Sequence, residues 1–318
     1  MKKLLGVCLI LIVSFIAYFY YISNNASKNL SIASPLPDLL TKSFSNVFGS
    51  SNIWKPNMSK VTESSIKIPE ITAKSALSYD LTRGKLLYER NIKTKIPMAS
   101  LTKIMTAIIT LENFNLSEEV KITREDVEVG EDSMGLSEGE VLKVEDLLYG
   151  LILHSGNDAA EALARSSIFG RENFIYLMNK KAEDLGLSDT HFTNPTGLEG
   201  DGKQYSTAYD LLVMTKYALE NPTFSAIAST VEYEIPYTSA HKYIYLYNET
   251  NLLTSYPGVK GVKTGYTFEA GLCLVTYLQY EGHKIIAVLL NSQSRREEMK
   301  ELLDYSLKTM GIKPPPNN

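Results

Sequence analysis

Apolar residues along the chain fall into two periods. In PMASLTKIMTAIIT (97–110), Leu101, Ile104, Met105 and Ile108, continued by Leu111, stand at helical spacing, which predicts a helix with a buried face. Pro97 suits a helix start. The stretches 144–154, 158–168, 171–186 and 207–220 carry similar apolar stripes. The third ends at a glycine, and SGN (155–157) is the break between the first two. The two ends of the region read as strands. ALSYDLTRGKLLYERN (76–91) predicts two short strands around a turn at Asp80–Gly84, and VEYEIPYT alternates. GLCLVTYLQY and HKIIAVLLNS (271–280 and 283–292) flank Glu281-Gly282 as a hairpin, and 294–310 is a terminal amphipathic helix. Residues 112–230 read as mostly helical. The expected fold class is therefore α+β: one antiparallel sheet formed from both ends, covered by helices, with an inserted all-helical subdomain. The sequence contains no internal repeat.

The first residues behave differently. Met-Lys-Lys precedes a run of 19 residues without a charge, Leu4 to Ile22. That length spans a bilayer and exceeds the apolar region of a cleaved signal, and no small-x-small cleavage site follows. The expectation is an uncleaved N-terminal membrane anchor over 1–22, with Lys2 and Lys3 inside and the rest outside the cytoplasmic membrane, the alternative being a cleaved signal and a secreted protein. A Ser/Asn/Lys/Pro-rich tether over 23–64 follows, in which 36–54 has the makings of a short helix. A catalytic domain over 65–312 and a tail over 313–318 complete the expected division. A net charge of −4 argues against nucleic-acid binding, and neither a phosphate loop nor a Cys/His ligand cluster points to a cofactor or metal. Cys8 and Cys273 read as small apolar residues.

Three short motifs carry chemistry. Ser-x-x-Lys occurs at Ser64/Lys67, Ser100/Lys103 and Ser239/Lys242, but only the middle pair opens a strongly apolar helix. By itself that pair reads as a helix-terminal serine beside a surface lysine. Ser155-Gly156-Asn157 reads as an interhelical turn with His154 as a satisfied structural histidine. Lys263-Thr264-Gly265 reads as the end of an edge strand guarded by a lysine. Together they suit nucleophilic catalysis. A serine hydroxyl needs a base to take its proton, and a lysine serves once burial and a nearby cation lower its pKa. Lys103 on a core helix supplies the burial and Lys263 the cation. The helix N-terminus adds positive potential at Ser100. Ser155 can relay a proton, Asn157 can hold an amide, and Lys263 with Thr264 suits a carboxylate.

Whole phrases extend the likeness. PMASLTKIMTA, HSGNDAAEALA, HFTNPTGL, STAYDLL and GVKTGYTFEAGLCL closely resemble the low-molecular-mass D-alanyl-D-alanine carboxypeptidases, serine peptidases of the penicillin-binding group, over roughly 65–311. The resemblance implies the β-lactamase/penicillin-binding-protein-like fold, with Ser100 as acylated nucleophile, Lys103 as its base and Ser155 and Asn157 as the second motif. Lys263, Thr264 and Gly265 form the third, and the N–H groups of Ser100 and Tyr266 form the oxyanion hole. HFTNPTGL is implied to be a loop flooring the site, with His191 structural. The implied partners are a peptidoglycan stem peptide ending in D-Ala-D-Ala and β-lactam antibiotics as inhibitors, with no cofactor or metal. Many members carry a further β-rich domain and a C-terminal anchor. Here the chain stops at MGIKPPPNN, so attachment is expected to fall to the N-terminal segment. No arginine for the substrate carboxylate can be placed near GVKTG, and the task is assigned to Lys263 and Thr264. A β-lactamase, a transpeptidase and a noncatalytic penicillin-binding sensor are the rival readings. The first lacks its Glu-x-x-Leu-Asn sequence before residue 207, and the last has no need of a buried neutral lysine.

Overall fold

The computed structural model describes residues 53–60, 66–168, 170–200 and 202–316. The proposed anchor, most of the tether with its candidate helix at 36–54, and Cys8 lie outside the described residues. Among those described, no helix is long and apolar enough to cross a membrane.

Five strands form the main sheet: β1 (Ser75–Asp80), β2 (Lys85–Arg90), β7 (Val259–Thr267), β8 (Gly271–Tyr280) and β9 (His283–Ser292). Their order is β2-β1-β9-β8-β7, antiparallel throughout, so both chain ends build one sheet as expected. The unbroken apolar runs in β8 and β9 follow from central positions covered on both faces. In β9, Ile285, Ala287 and Leu289 pack in one buried cluster, while Ile286, Val288 and Leu290 pack in another. The first cluster is closed by Met299, Leu302, Leu303 and Leu307 of the terminal helix α9 (Arg295–Thr309). The β8–β9 turn is the predicted Glu281-Gly282. Tyr280 pairs with His283, and both loop residues have positive φ, 48° and 76°, which matches the sheet twist.

Against the other face lies the helical layer: α1 (Lys103–Asn113), α2 (Arg124–Val127), α3 (Val144–Leu153), α4 (Asn157–Ser166), α5 (Gly170–Asp184), α6 (Ala208–Glu220) and α7 (Pro222–Ala228), while Leu252 of the short α8 (Leu252–Ser255) packs in the cluster closed by α9. Helix α1 touches α3, α4, α5, α6 and α7, and every residue from Lys103 to Thr110 is buried. That burial on all sides explains why its apolar pattern is wider than a single stripe.

Two expectations need correction. The α-helix begins at Lys103, not Pro97; Ala99–Thr102 forms a 3-10 turn ahead of it, with Ala99 at φ 49°. The middle of the chain is not all helix. It holds a two-stranded ribbon, β3 (Glu119–Lys121) with β4 (Val141–Lys143), whose strands are too short for alternation to show. A second ribbon pairs β5 (Glu232–Ile235) with β6 (Ile244–Tyr247). Contacts also precede the expected domain start at residue 65. The unit of described residues begins at Ile53, and residues 53–60 run along β2, an edge of the main sheet. The Leu86 amide donates to the Ser59 carbonyl, the Asn57 amide to the Tyr79 hydroxyl, and the Trp54 ring meets Tyr79 edge-on at 5.8 Å. A strap of this kind covers an otherwise open strand edge.

Candidate active site

The three motifs converge from three elements. Ser100 sits in the 3-10 turn, Lys103 one turn on at the start of α1, Ser155 and Asn157 at the α3–α4 junction, and Lys263–Gly265 on β7, the other edge of the sheet. Lys103 is fully buried, and its Nζ lies 2.8 Å from Ser100 Oγ, 2.7 Å from Asn157 Oδ1 and 2.7 Å from the Thr196 carbonyl. Two of these partners can only accept. A neutral amine satisfies both with its two hydrogens and keeps a lone pair for the third partner, the Ser100 hydroxyl. Burial holds the Lys103 pKa well below its ordinary value, and the Lys263 cation adds to the effect; Asp132, Glu249 and Asp158 oppose it.

Asn157 Nδ2 donates to the Gly130 carbonyl, which fixes the amide so that Oδ1 faces Lys103. Its amide thus already holds the lysine, a task the sequence reading assigned to substrate alone. Ser155 has φ 59°, is buried, and its Oγ has no hydrogen-bond partner among the described residues. An unpaired buried hydroxyl that lines a cavity is open to a proton or a substrate group. His154 is not the satisfied histidine expected: its Nδ1 is likewise buried without a partner among the described residues. His191 is exposed, with Nδ1 against the Lys203 carbonyl at 2.7 Å.

Lys263 is 1% exposed despite lying on an edge strand, so it turns inward and does not guard the edge. Burial lowers its pKa to about 8, Arg295 pushes the same way, and Glu249 and Asp132 oppose. Gly265 sits at a close approach. A Cβ there would stand 3.0 Å from the Ser100 amide nitrogen and 3.2 Å from the Met98 carbonyl, a tight contact that glycine avoids where β7 meets the turn carrying Ser100. Gly197 has the same task from the opposite side: with φ 94°, its Cβ would fall 2.0 Å from the Ala99 carbonyl oxygen. Its loop is braced by Asn194 Oδ1, which accepts from Thr196 N, Thr196 Oγ1 and Gly197 N. Cys273 faces Gly265 across the β7–β8 pair, buried, with its thiol pushed up to about 11.

Sequence reasoning missed two participants. The Thr196 carbonyl, inside the HFTNPTGL phrase, is a backbone group without a side-chain signature. Arg295 opens α9, yet its Nη1 donates to the Gly265 carbonyl at 2.7 Å. Arg295, Ser155, Thr264, Gly265 and Tyr266 line a cavity of about 470 Å³ together with Glu131, Asp132 and Glu249. Ser100 keeps 8% of its surface open. The arrangement can activate a serine, receive a carboxylate and move a proton between them.

A profile of the D-alanyl-D-alanine carboxypeptidase family (Peptidase_S11) matches residues 61–294. The chain belongs to this family. It is 36% identical over 242 residues to the D-alanyl-D-alanine carboxypeptidase DacF of Bacillus subtilis, covering 74% of this chain and 62% of that relative. It is 34% identical to DacB2 of Mycobacterium tuberculosis, covering 71% of this chain and 77% of the relative. Among solved structures, the Streptomyces K15 DD-transpeptidase superposes with a TM-score of 0.72 at 34% identity, covering 76% of this chain and 100% of that one. A penicillin-binding protein homolog from Mycobacterium tuberculosis gives 0.73 at 30% identity, with 81% and 98% covered. Membership of the carboxypeptidase family and the penicillin-binding fold thus agree with the motif order on the helical layer and β7.

Proposed function

We propose that the chain is a serine-type D-Ala-D-Ala carboxypeptidase that removes the terminal D-alanine from peptidoglycan stem peptides through an acyl-enzyme on Ser100. The observation that carries this is the buried Lys103 amine within 2.8 Å of the Ser100 hydroxyl, with its two hydrogens committed elsewhere.

Neutral Lys103 takes the proton of Ser100 as Oγ attacks the carbonyl of the penultimate D-alanine. The oxyanion develops toward the N–H groups of Ser100 and Tyr266. In enzymes of this kind the loss of one such donor costs about 3 kcal/mol of transition-state stabilisation. The terminal carboxylate is held by Lys263, Thr264 and Arg295, which reaches the same cavity. Ser155 Oγ passes the proton to the leaving D-alanine amine. Water then hydrolyses the ester with Lys103 again as base, and no cofactor takes part. A β-lactam offers the same carbonyl and carboxylate and acylates the same serine. The 19 uncharged residues from Leu4 to Ile22 support an extracytoplasmic placement, with the domain bound to the cytoplasmic membrane by its N-terminal segment.

Intact-mass spectrometry with benzylpenicillin, paired with D-alanine release from a D-Ala-D-Ala peptide, tests the reading. A single adduct on Ser100 and free D-alanine are expected. Ser100→Ala should lose both, with a rate drop on the order of 10^6-fold for a serine nucleophile. Retained release in that variant would sink the assignment. Adding an acceptor amine separates hydrolysis from transfer, the activity named for the Streptomyces K15 structure. Fractionation with and without carbonate or detergent tests the membrane placement; a protein that leaves the membrane with salt alone has no spanning anchor.

A further inference from the structure

The β5–β6 ribbon has two unlike faces. Its inner face is settled: Ile235, Ile244 and Leu246 are buried in the main core. Tyr233 stacks flat on Tyr149 at 3.6 Å, with its hydroxyl on Asp146. Alternation then predicts a polar outer face. Instead Tyr243, Tyr245 and Tyr247 follow one another there, 51%, 48% and 43% exposed. Tyr245 and Tyr247 lie on β6, where every second residue advances about 7 Å, and Tyr243 immediately precedes the strand, so the exposed rings follow one another along the chain. Across the ribbon Glu234 pairs with Tyr245 and Glu232 with Tyr247, so a carboxylate stands beside each of these two rings.

The strip runs into the candidate active site. Tyr247 lines the 470 Å³ cavity together with Tyr266. The ribbon is tied to the second motif, because the Glu249 amide donates to the Leu153 carbonyl at 3.0 Å, and Leu153 closes the helix just before Ser155. Asn248 adds bonds from its amide to the Val231 carbonyl and from Nδ2 to the Thr230 carbonyl.

We propose that this tyrosine strip is a carbohydrate-binding surface that holds the glycan strand from which the stem peptide hangs. The proposal rests on the carboxypeptidase reading, which supplies a peptide attached to a sugar. A pyranose ring presents an apolar C–H face and a rim of hydroxyls. Tyrosine rings cover the first, and the Glu232 and Glu234 carboxylates accept from the second. Charge narrows the choice of occupant. Glu232 and Glu234 on the strip and Glu249, Glu131 and Asp132 at the cavity repel a phosphate backbone or an anionic lipid surface. A protein partner would ask for a broader apolar core than one strip of half-exposed rings.

The test compares the full-length chain with a Tyr243→Ala/Tyr245→Ala variant on two substrates, a free D-Ala-D-Ala pentapeptide and the same peptide carried on short glycan strands. Neither tyrosine belongs to the catalytic machinery, so the rate on free peptide and the rate of penicillin acylation should stay within about twofold. On the glycan-linked substrate kcat/KM should fall about tenfold, through KM, as expected for loss of aromatic anchors. Tyr243→Phe/Tyr245→Phe keeps the rings and should recover most of it. Equal losses on both substrates, or none on either, overturn the strip while leaving the peptidase reading intact. No D-alanine release and no penicillin adduct from the unaltered chain overturn the peptidase reading itself. Should the alanine variant not fold, titration of the unaltered chain with peptide-free glycan strands decides: ring-proton shifts confined to residues 243, 245 and 247 support the strip, and their absence refutes it.

Discussion

The Arg295 guanidinium donates to the Gly265 carbonyl at 2.7 Å, joining the first turn of the terminal helix to the strand that carries Lys263 and Thr264. The same residue lines the cavity together with Thr264 and Gly265 of the third motif. Charged hydrogen bonds of this kind are worth about 1.5–3 kcal/mol, so Arg295→Leu should lower kcat/KM on a free-carboxylate peptide by roughly 10- to 10^2-fold. The same peptide with a C-terminal amide should lose little. Steady-state rates on the matched pair decide it, and equal losses on both would assign Arg295 to the fold and not to the carboxylate.

Two lysines with lowered pKa values set a pH profile with opposite limbs. Lys103 acts as base when neutral, so acylation rises with pH as it loses its proton, at a pKa well below the ordinary lysine value. In the proposed mechanism Lys263 holds a carboxylate when charged, so kcat/KM should fall as pH rises through about 8. Glu249 raises the Lys263 pKa, so Glu249→Gln should move the falling limb to lower pH. A pH series on the carboxylate substrate checks the direction; a limb that moves upward contradicts the electrostatic account.

Gly265→Ala would place a Cβ 3.0 Å from the Ser100 amide nitrogen. The turn must shift by a few tenths of an ångström, enough to misplace the nucleophile and its own N–H. Penicillin acylation should slow by on the order of 10- to 10^2-fold while the far-ultraviolet dichroism stays unchanged. An acylation rate equal to that of the unaltered chain would mean that β7 does not gauge the position of Ser100.

The strap at 53–60 should matter for stability and not for chemistry. Trp54 meets Tyr79 edge-on at 5.8 Å and carries Lys216 Nζ 5.2 Å from its ring. Trp54→Ala should cost about 1–3 kcal/mol, seen as a lower melting temperature with penicillin acylation unchanged. A normal melting temperature would make the strap an incidental contact.

Much was legible in the chain itself. The runs in β8 and β9 and the Glu281-Gly282 turn specified a central hairpin, because burial on both faces and two left-handed positions leave direct marks on sequence. Ser100, Lys103, Ser155, Asn157, Lys263, Thr264 and Gly265 stood out as candidates because each motif sits where its neighbours make the bland reading awkward: a lysine in an apolar helix, a polar turn between two buried helices. Periodicity, however, reports only which face of an element is covered. It says nothing of what covers it. The 3-10 turn beneath Ser100 exists because Gly197 and Gly265 press on it from distant segments. The Thr196 carbonyl reaches Lys103 across 93 positions of sequence, and Arg295 reaches Gly265 across 30. A backbone oxygen and a single arginine at a helix start carry no local signal. Their role was decided by sheet order and by the way α9 crosses back over β8 and β9, and those are set by the summed packing of both buried clusters, beyond the reach of any one stretch of residues.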